Sequence, residues 1–210
     1  MLFTARCRVA VLATAHLLGA AVYGAVIYDE GVSGDLSNSG LSPTPLTVSV
    51  GSNQIFGVTG ARPPGVFDRD YFTITVPSGT VLSSIVLLPG TVSLGPEGES
   101  FIGVQSGAQV TVDVFPPDAT GLLGWMHYEA ADVGTNILPT MGSSDFGATG
   151  FTPPLPAGTY SFWVQELNDG TAPYGLDIMI ATPEPGSAAM VLSAVALIVG
   201  RVVNKRRQRS

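Results

Sequence analysis

Between residues 28 and 181 no stretch carries a helical period. Short alternating or apolar runs recur there instead, separated by Gly, Pro, Thr and Ser turn signals. Runs of this length cannot bury themselves as helices, and their spacing suits strands joined by tight turns. Strands are expected at 46–50, 54–58, 70–76, 81–88, 100–105, 109–115, 124–129, 159–167 and 174–181. The resulting body, roughly 155 residues long, is one domain's worth of chain and can bury a sizeable core. The expected class is all-β, a jelly-roll-like β-sandwich of about eight or nine strands.

Two runs show the period of two clearly. Phe72, Ile74 and Val76 share one face of their strand, while Tyr71, Thr73 and Thr75 share the other. Tyr160, Phe162 and Val164 likewise face one way, leaving Trp163 beside Ser161 and Gln165. Pro77-Ser78-Gly79 and Pro156-Ala157-Gly158 are turns beside these strands.

Charge is unevenly placed. The chain carries −7, yet residues 25–182 hold only Arg62 and Arg69 against fifteen acids, a net −13. Such a body repels nucleic acid and other polyanions, and suits divalent cations or neutral glycans. The other cations sit at the two ends. Residues 1–8 carry Arg6 and Arg8, residues 9–22 are mainly apolar, and small residues follow to Ala25. These are the three parts of a secretory signal peptide with an apolar helix, expected over residues 1–25. The lone cysteine, Cys7, lies inside it, so the body, residues 26–181, has no disulfide and no thiolate chemistry.

Residues 182–210 have their own three-part layout. Pro183-Glu184-Pro185 breaks the chain, residues 188–199 form an apolar run, and Arg201, Lys205, Arg206, Arg207 and Arg209 close it as a basic stop. The prolines hold the backbone extended. The apolar run satisfies its own backbone as a helix in lipid, and the cations favour a cytoplasmic end. The layout resembles the PEP-CTERM sorting signal of bacteria that make exopolysaccharide. That resemblance implies processing by an exosortase-like membrane transpeptidase, transient anchoring in the inner membrane by a transmembrane helix, and final release to the cell surface or extracellular matrix.

A second resemblance lies in the body. Asp68-Arg69-Asp70-Tyr71-Phe72-Thr73-Ile74-Thr75-Val76-Pro77-Ser78-Gly79-Thr80 resembles the D-x-D-x-F-x-F-x-V-P-A-G-T stretch of bacterial pre-peptidase C-terminal (PPC-like) domains. Leu155-Pro156-Ala157-Gly158-Thr159-Tyr160-Ser161-Phe162 resembles their later A-G-T-Y strand, and residues 28–38 resemble their acidic lead-in. The chain departs from that pattern most between Thr91 and Phe151. The resemblance implies a jelly-roll-like sandwich of secreted proteins, some of which bind calcium and some collagen or polysaccharide.

The chemistry-bearing residues are few. Asp68 and Asp70 flank Arg69, and Glu30, Asp35 and Asn38 supply further oxygens if the N-terminal segment folds across that loop. Calcium takes six to eight such hard ligands, so these five are the candidate metal ligands. The alternative is that Asp68 and Asp70 cap a turn, or pair with Arg62 and Arg69. Catalysis finds little support: His127 is the only histidine after the signal, and no Gly-x-Ser-x-Gly elbow occurs. Residues 116–156 are rich in turn formers and carry Trp125 and Tyr128, which are candidate glycan contacts. The same aromatics would instead be buried if the stretch packs as an additional hairpin.

Together these features describe an exported, non-enzymatic envelope or matrix protein with a structural or adhesive role. A calcium-dependent glycan-binding module is the alternative, and a secreted hydrolase stands third. No catalytic residues are assigned.

Overall fold

The computed structural model describes residues 24–61, 66–94, 100–112, 118–166 and 168–183. The expected signal peptide lies almost wholly outside these residues. So do Arg62, Glu184, Pro185, the apolar run and the basic stop; Pro183 is described and exposed. Among the described residues no helix is long and apolar enough to cross a membrane.

Among the described residues nine strands appear: β1 (Ala25–Asp29), β2 (Thr44–Leu46), β3 (Gly51–Ala61), β4 (Phe67–Val76), β5 (Val81–Leu87), β6 (Ser100–Ser106), β7 (Gly124–Tyr128), β8 (Gly158–Gln165) and β9 (Gly170–Ala181). The described helices are single turns, α1 (Glu30–Ser33) and α2 (Leu138–Met141), with 3-10 turns at Ala130–Asp132 and Asp145–Gly147. The main path runs β5-β9-β3-β4-β8-β6-β7, antiparallel throughout, while β1 adds parallel to β3 and β2 parallel to β4. Strands β3 and β4 pair only through Gly60↔Asp68 and Ala61↔Phe67. Around that narrow junction the sheet curls over, so β1, β3, β9 and β5 face β2, β4, β8, β6 and β7. The all-β sandwich character expected from the period of two is therefore observed.

The two inner faces share one core. Phe72, Ile74 and Val76 of β4 and Phe162 and Val164 of β8 lie inside it with Ile55 of β3 and Leu176, Ile178 and Ile180 of β9. Phe72 sits opposite Phe162 in register, their rings stacked 5.1 Å apart. In β5 a register shift between Leu82 and Ser84 lets Leu82, Ile85 and Leu87 all face inward despite their odd spacing.

The long stretch after β6 is mostly packed. Leu122, Met126, Tyr128, Ile137, Leu138 and Met141 are buried. Its return leg also covers the free edge of β5: Gly134 N donates to Leu87 O, Ile137 N to Ile85 O, and Leu155 exchanges both backbone bonds with Leu82. Covering this edge removes a template for strand addition.

Three expectations at the strand level are corrected. Residues 47–50 leave the strand after Leu46, because Ser49 N binds the Asn53 side chain instead of a neighbouring strand. Residues 109–112 form no strand: Gln105 holds Thr111 by side-chain bonds and Val110 N donates to Gly40 O. β1 was not anticipated; its sequence merges with the small residues expected at the end of the signal.

Candidate functional site

Strand β4 alternates, so Asp70 shares the inner face with Phe72, Ile74 and Val76. Its side chain is 0 % exposed, and neither carboxylate oxygen makes a hydrogen bond of good geometry, although the Tyr174 hydroxyl lies close beside it. An unpaired buried carboxylate is costly unless it is neutralised.

The N-terminal segment brings two more carboxylates to it. β1 lays the chain along β3, and Asp29 caps α1 by accepting from Gly31 N at 2.9 Å. Glu30 then bridges the segment and the sheet: one oxygen accepts Leu36 N at 2.9 Å, the other Val58 N at 2.7 Å. Leu36, buried at 2 % exposure, anchors the loop, and Tyr71 N donates to Ser37 O. Asp35 is thereby held beside β4. One oxygen each of Glu30, Asp35 and Asp70 lies within 4.8 Å of the others. Asp70 is buried, Glu30 half-buried and Asp35 exposed, so the cluster opens from the sandwich interior to solvent.

The protonation pattern records the strain of this arrangement. Burial, with Glu30, Asp68 and Asp35 adding their repulsion and the Tyr174 hydroxyl opposing, pushes the Asp70 carboxyl up to about 9. Glu30 is raised by burial, against the two backbone donors it accepts from. Asp68 is raised by burial and by Asp35, with the Asn38 bond opposing. Tyr174 lies beside Asp70, and burial followed by that carboxyl pushes its phenol well up. Its hydroxyl is also buried and makes no hydrogen bond of good geometry. The hydroxyl end of Tyr174 lies over Gly57, where a Cβ would stand 2.6 Å from it, so the glycine makes room for the tyrosine at the site.

Two cavities lie near the cluster, and only the first includes one of its members, Glu30. One of about 220 Å³ is lined in part by Glu30, Phe56 and Tyr174, the other, about 240 Å³, by Asn38, Thr59 and Asp68. Three converging carboxylates, one of them buried, are satisfied either by protons or by a cation. All the donors are hard oxygens, with no nitrogen or sulfur ligand among them, which fits calcium better than zinc.

Of the five expected ligands, the structure brings Glu30, Asp35 and Asp70 together. Asn38 and Asp68 stand at the side and engage each other: Asn38 Nδ2 donates to Asp68 at 3.2 Å, while Asn38 Oδ1 accepts Arg69 N at 2.7 Å. Arg69 itself turns to Gln165, at 3.2 Å, and lies over the Phe67 ring. Sequence reasoning missed Tyr174, although its spacing to Leu176, Ile178 and Ile180 places it on the inner face of β9.

The two expected glycan contacts separate. Tyr128 points inward at 1 % exposure and is withdrawn as a contact, because its strand turns it into the core with Met126. Trp125 faces outward and is half-buried, with His127 exposed on the same face. Comparison of the chain with protein-family models, with curated proteins and with solved structures finds no match.

Proposed function

We propose that the chain is an exported, non-enzymatic β-sandwich protein whose body is closed by a calcium ion held by Glu30, Asp35 and Asp70. Its role is structural or adhesive at the cell surface or in the extracellular matrix. The observation that carries the cation is the buried Asp70 carboxylate, without a hydrogen bond of good geometry and within 4.8 Å of two further carboxylates. Backbone carbonyls of the 34–38 loop and water would complete a shell of six to eight oxygens. The ion would then fix the N-terminal segment to β4 in the way a crosslink does. A jelly-roll-like description of the sandwich belongs to the same proposal, as does its likeness to PPC-like domains.

Export rests on the composition of the two ends: an apolar run behind Arg6 and Arg8, and the Pro183-Glu184-Pro185 breaker, apolar run and basic stop. An exosortase-like enzyme would cut near the breaker while the inner membrane holds the tail. The acidic body argues against nucleic-acid partners.

Terbium tests the cation reading. Tyr28 and Tyr174 both sense the cluster's carboxylates, so a bound terbium ion is expected to show tyrosine-sensitised emission that calcium displaces. Asp70→Asn should abolish it. Emission unchanged in that variant would remove the site. Mass spectrometry of the mature C-terminus in the native host tests the sorting reading. Loss of residues beyond the Pro-Glu-Pro motif is expected; an intact basic tail on protein recovered from the medium would defeat it.

A further inference from the structure

The outer face of the β2-β4-β8-β6-β7 half carries a belt of aromatic rings. Tyr71 stacks on Trp163 at 5.8 Å, Trp163 meets Phe101 at 4.6 Å, and Phe101 stacks on Trp125 at 5.8 Å. Trp125 then meets Phe146 at 5.6 Å and His127 at 5.4 Å. Tyr71, Phe101 and Trp163 are buried under Val110, Leu122 and Ala148, which form a second, smaller core. The belt emerges into solvent at its far end, through Trp125, His127 and Phe146.

Phe146 is the informative member. It is 83 % exposed, and its backbone adopts φ 51° and ψ 34°, the left-handed region that bulky residues avoid. Phe146 and Gly147 are the two positive-φ residues of a turn closed by Ala148 N donating to Asp145 O at 3.2 Å, and that turn presents the phenyl ring to solvent. Its neighbour Asp145 fixes the assembly: Trp125 Nε1 donates to the Asp145 carbonyl at 3.2 Å, and Ser143 Oγ donates to its carboxylate at 2.6 Å. With its N–H tied down, Trp125 keeps a set orientation beside Phe146.

We propose that Trp125, His127 and Phe146 form a stacking surface for a neutral polysaccharide. Sugar rings present C–H faces to aromatic rings and hydroxyl donors to acceptors. Exposed acceptor-only carboxylates stand close by at Asp145, next to Phe146, and at Asp118, beside Gly147. The same carboxylates and the −13 body oppose a polyanion. They also oppose a second copy, whose own acids would meet these face to face. The surface lies on the outer face of β7, whereas the carboxylate cluster uses the inner face of β4, so this inference stands without the calcium reading.

The test is affinity electrophoresis of the full-length chain, in a mild non-ionic detergent, through gels containing laminarin, dextran or galactomannan, with alginate as the anionic probe. Retardation by at least one neutral polymer is expected, undiminished in 0.5 M salt, and none by alginate. Phe146→Ala should weaken it about tenfold. That ring is largely in solvent, so the fold will tolerate its loss. Val50→Ala, at a site 60 % exposed elsewhere on the surface, should leave retardation unchanged. The proposal is overturned if no neutral polymer retards the chain or if alginate retards it as well as they do. It is equally overturned if Phe146→Ala binds like wild type, or if sedimentation shows that Phe146 mediates a dimer instead.

Discussion

Calcium added to the metal-free protein at pH 7 is expected to release protons and, held at about 100 times its Kd, to raise Tm by about 5–10 °C. The cause is Asp70. Its carboxyl titrates at about 9 in the folded chain and near 3.9 when unfolded. Between those values the folded state holds a proton that the unfolded state has lost. Stability of the metal-free protein therefore falls as pH rises, by about 1.4 kcal/mol per unit from this group alone. Burial raises Glu30 as well, in the same sense. A cation needs the carboxylates ionised, so binding expels these protons and tightens with pH. Asp70→Asn keeps the shape and removes the charge. It should flatten the neutral-to-alkaline fall, stabilise the metal-free protein at pH 7 by on the order of a few kcal/mol, and eliminate the calcium response. Urea denaturation from pH 5 to 8, with calcium or chelator, measures all three. Parallel slopes in wild type and variant, with no proton release to an indicator dye, would refute the assignment.

The sandwich was legible because alternation is a property of the strand itself. Phe72, Ile74 and Val76 could face nowhere but a core once Thr73 and Thr75 faced out. The same rule places Asp70 inside, two residues before Phe72, so its burial could be read in advance; only the turn-capping alternative obscured it. Trp125 and Tyr128, three apart on one strand, cannot share a face, and the structure separates them as alternation requires. Other features depend on tertiary contact and leave no local mark. The bulge in β5 is set by pairing with β9. The failure of residues 109–112 to become a strand follows from side-chain bonds to Gln105. The exposed Phe146 lies in a Ser-Asp-Phe-Gly turn that reads like any other loop. Asn38 and Asp68 were chemically sound ligands, yet they satisfy each other, a choice that only the packing of the N-terminal segment decides.

Glu166→Ala should be the most damaging single substitution at a polar position, costing about 3–4 kcal/mol. This carboxylate is 0 % exposed and accepts four hydrogen bonds: Leu94 N at 2.9 Å, Ser100 Oγ at 2.7 Å, and Asn168 N and Nδ2 at 2.9 and 2.7 Å. It joins the segment after β5, the start of β6 and the turn between β8 and β9. Removal strands the buried Ser100 hydroxyl and the part-buried donors of Leu94 and Asn168. Burial alone would raise its pKa, but the four donors outweigh burial and lower it. Its stabilisation is therefore present above the unfolded carboxyl range and lost as pH falls through the folded value. Asp70 has the opposite sign. The metal-free protein should thus be most stable in mildly acidic solution, limited by Glu166 below and by Asp70 above. Calcium relieves only the upper limb, moving the optimum toward neutrality, while Glu166→Ala removes only the lower one. Chemical denaturation of both variants across pH separates the two carboxylates, because a generic loss of stability would lower the whole curve without changing the slope of either limb.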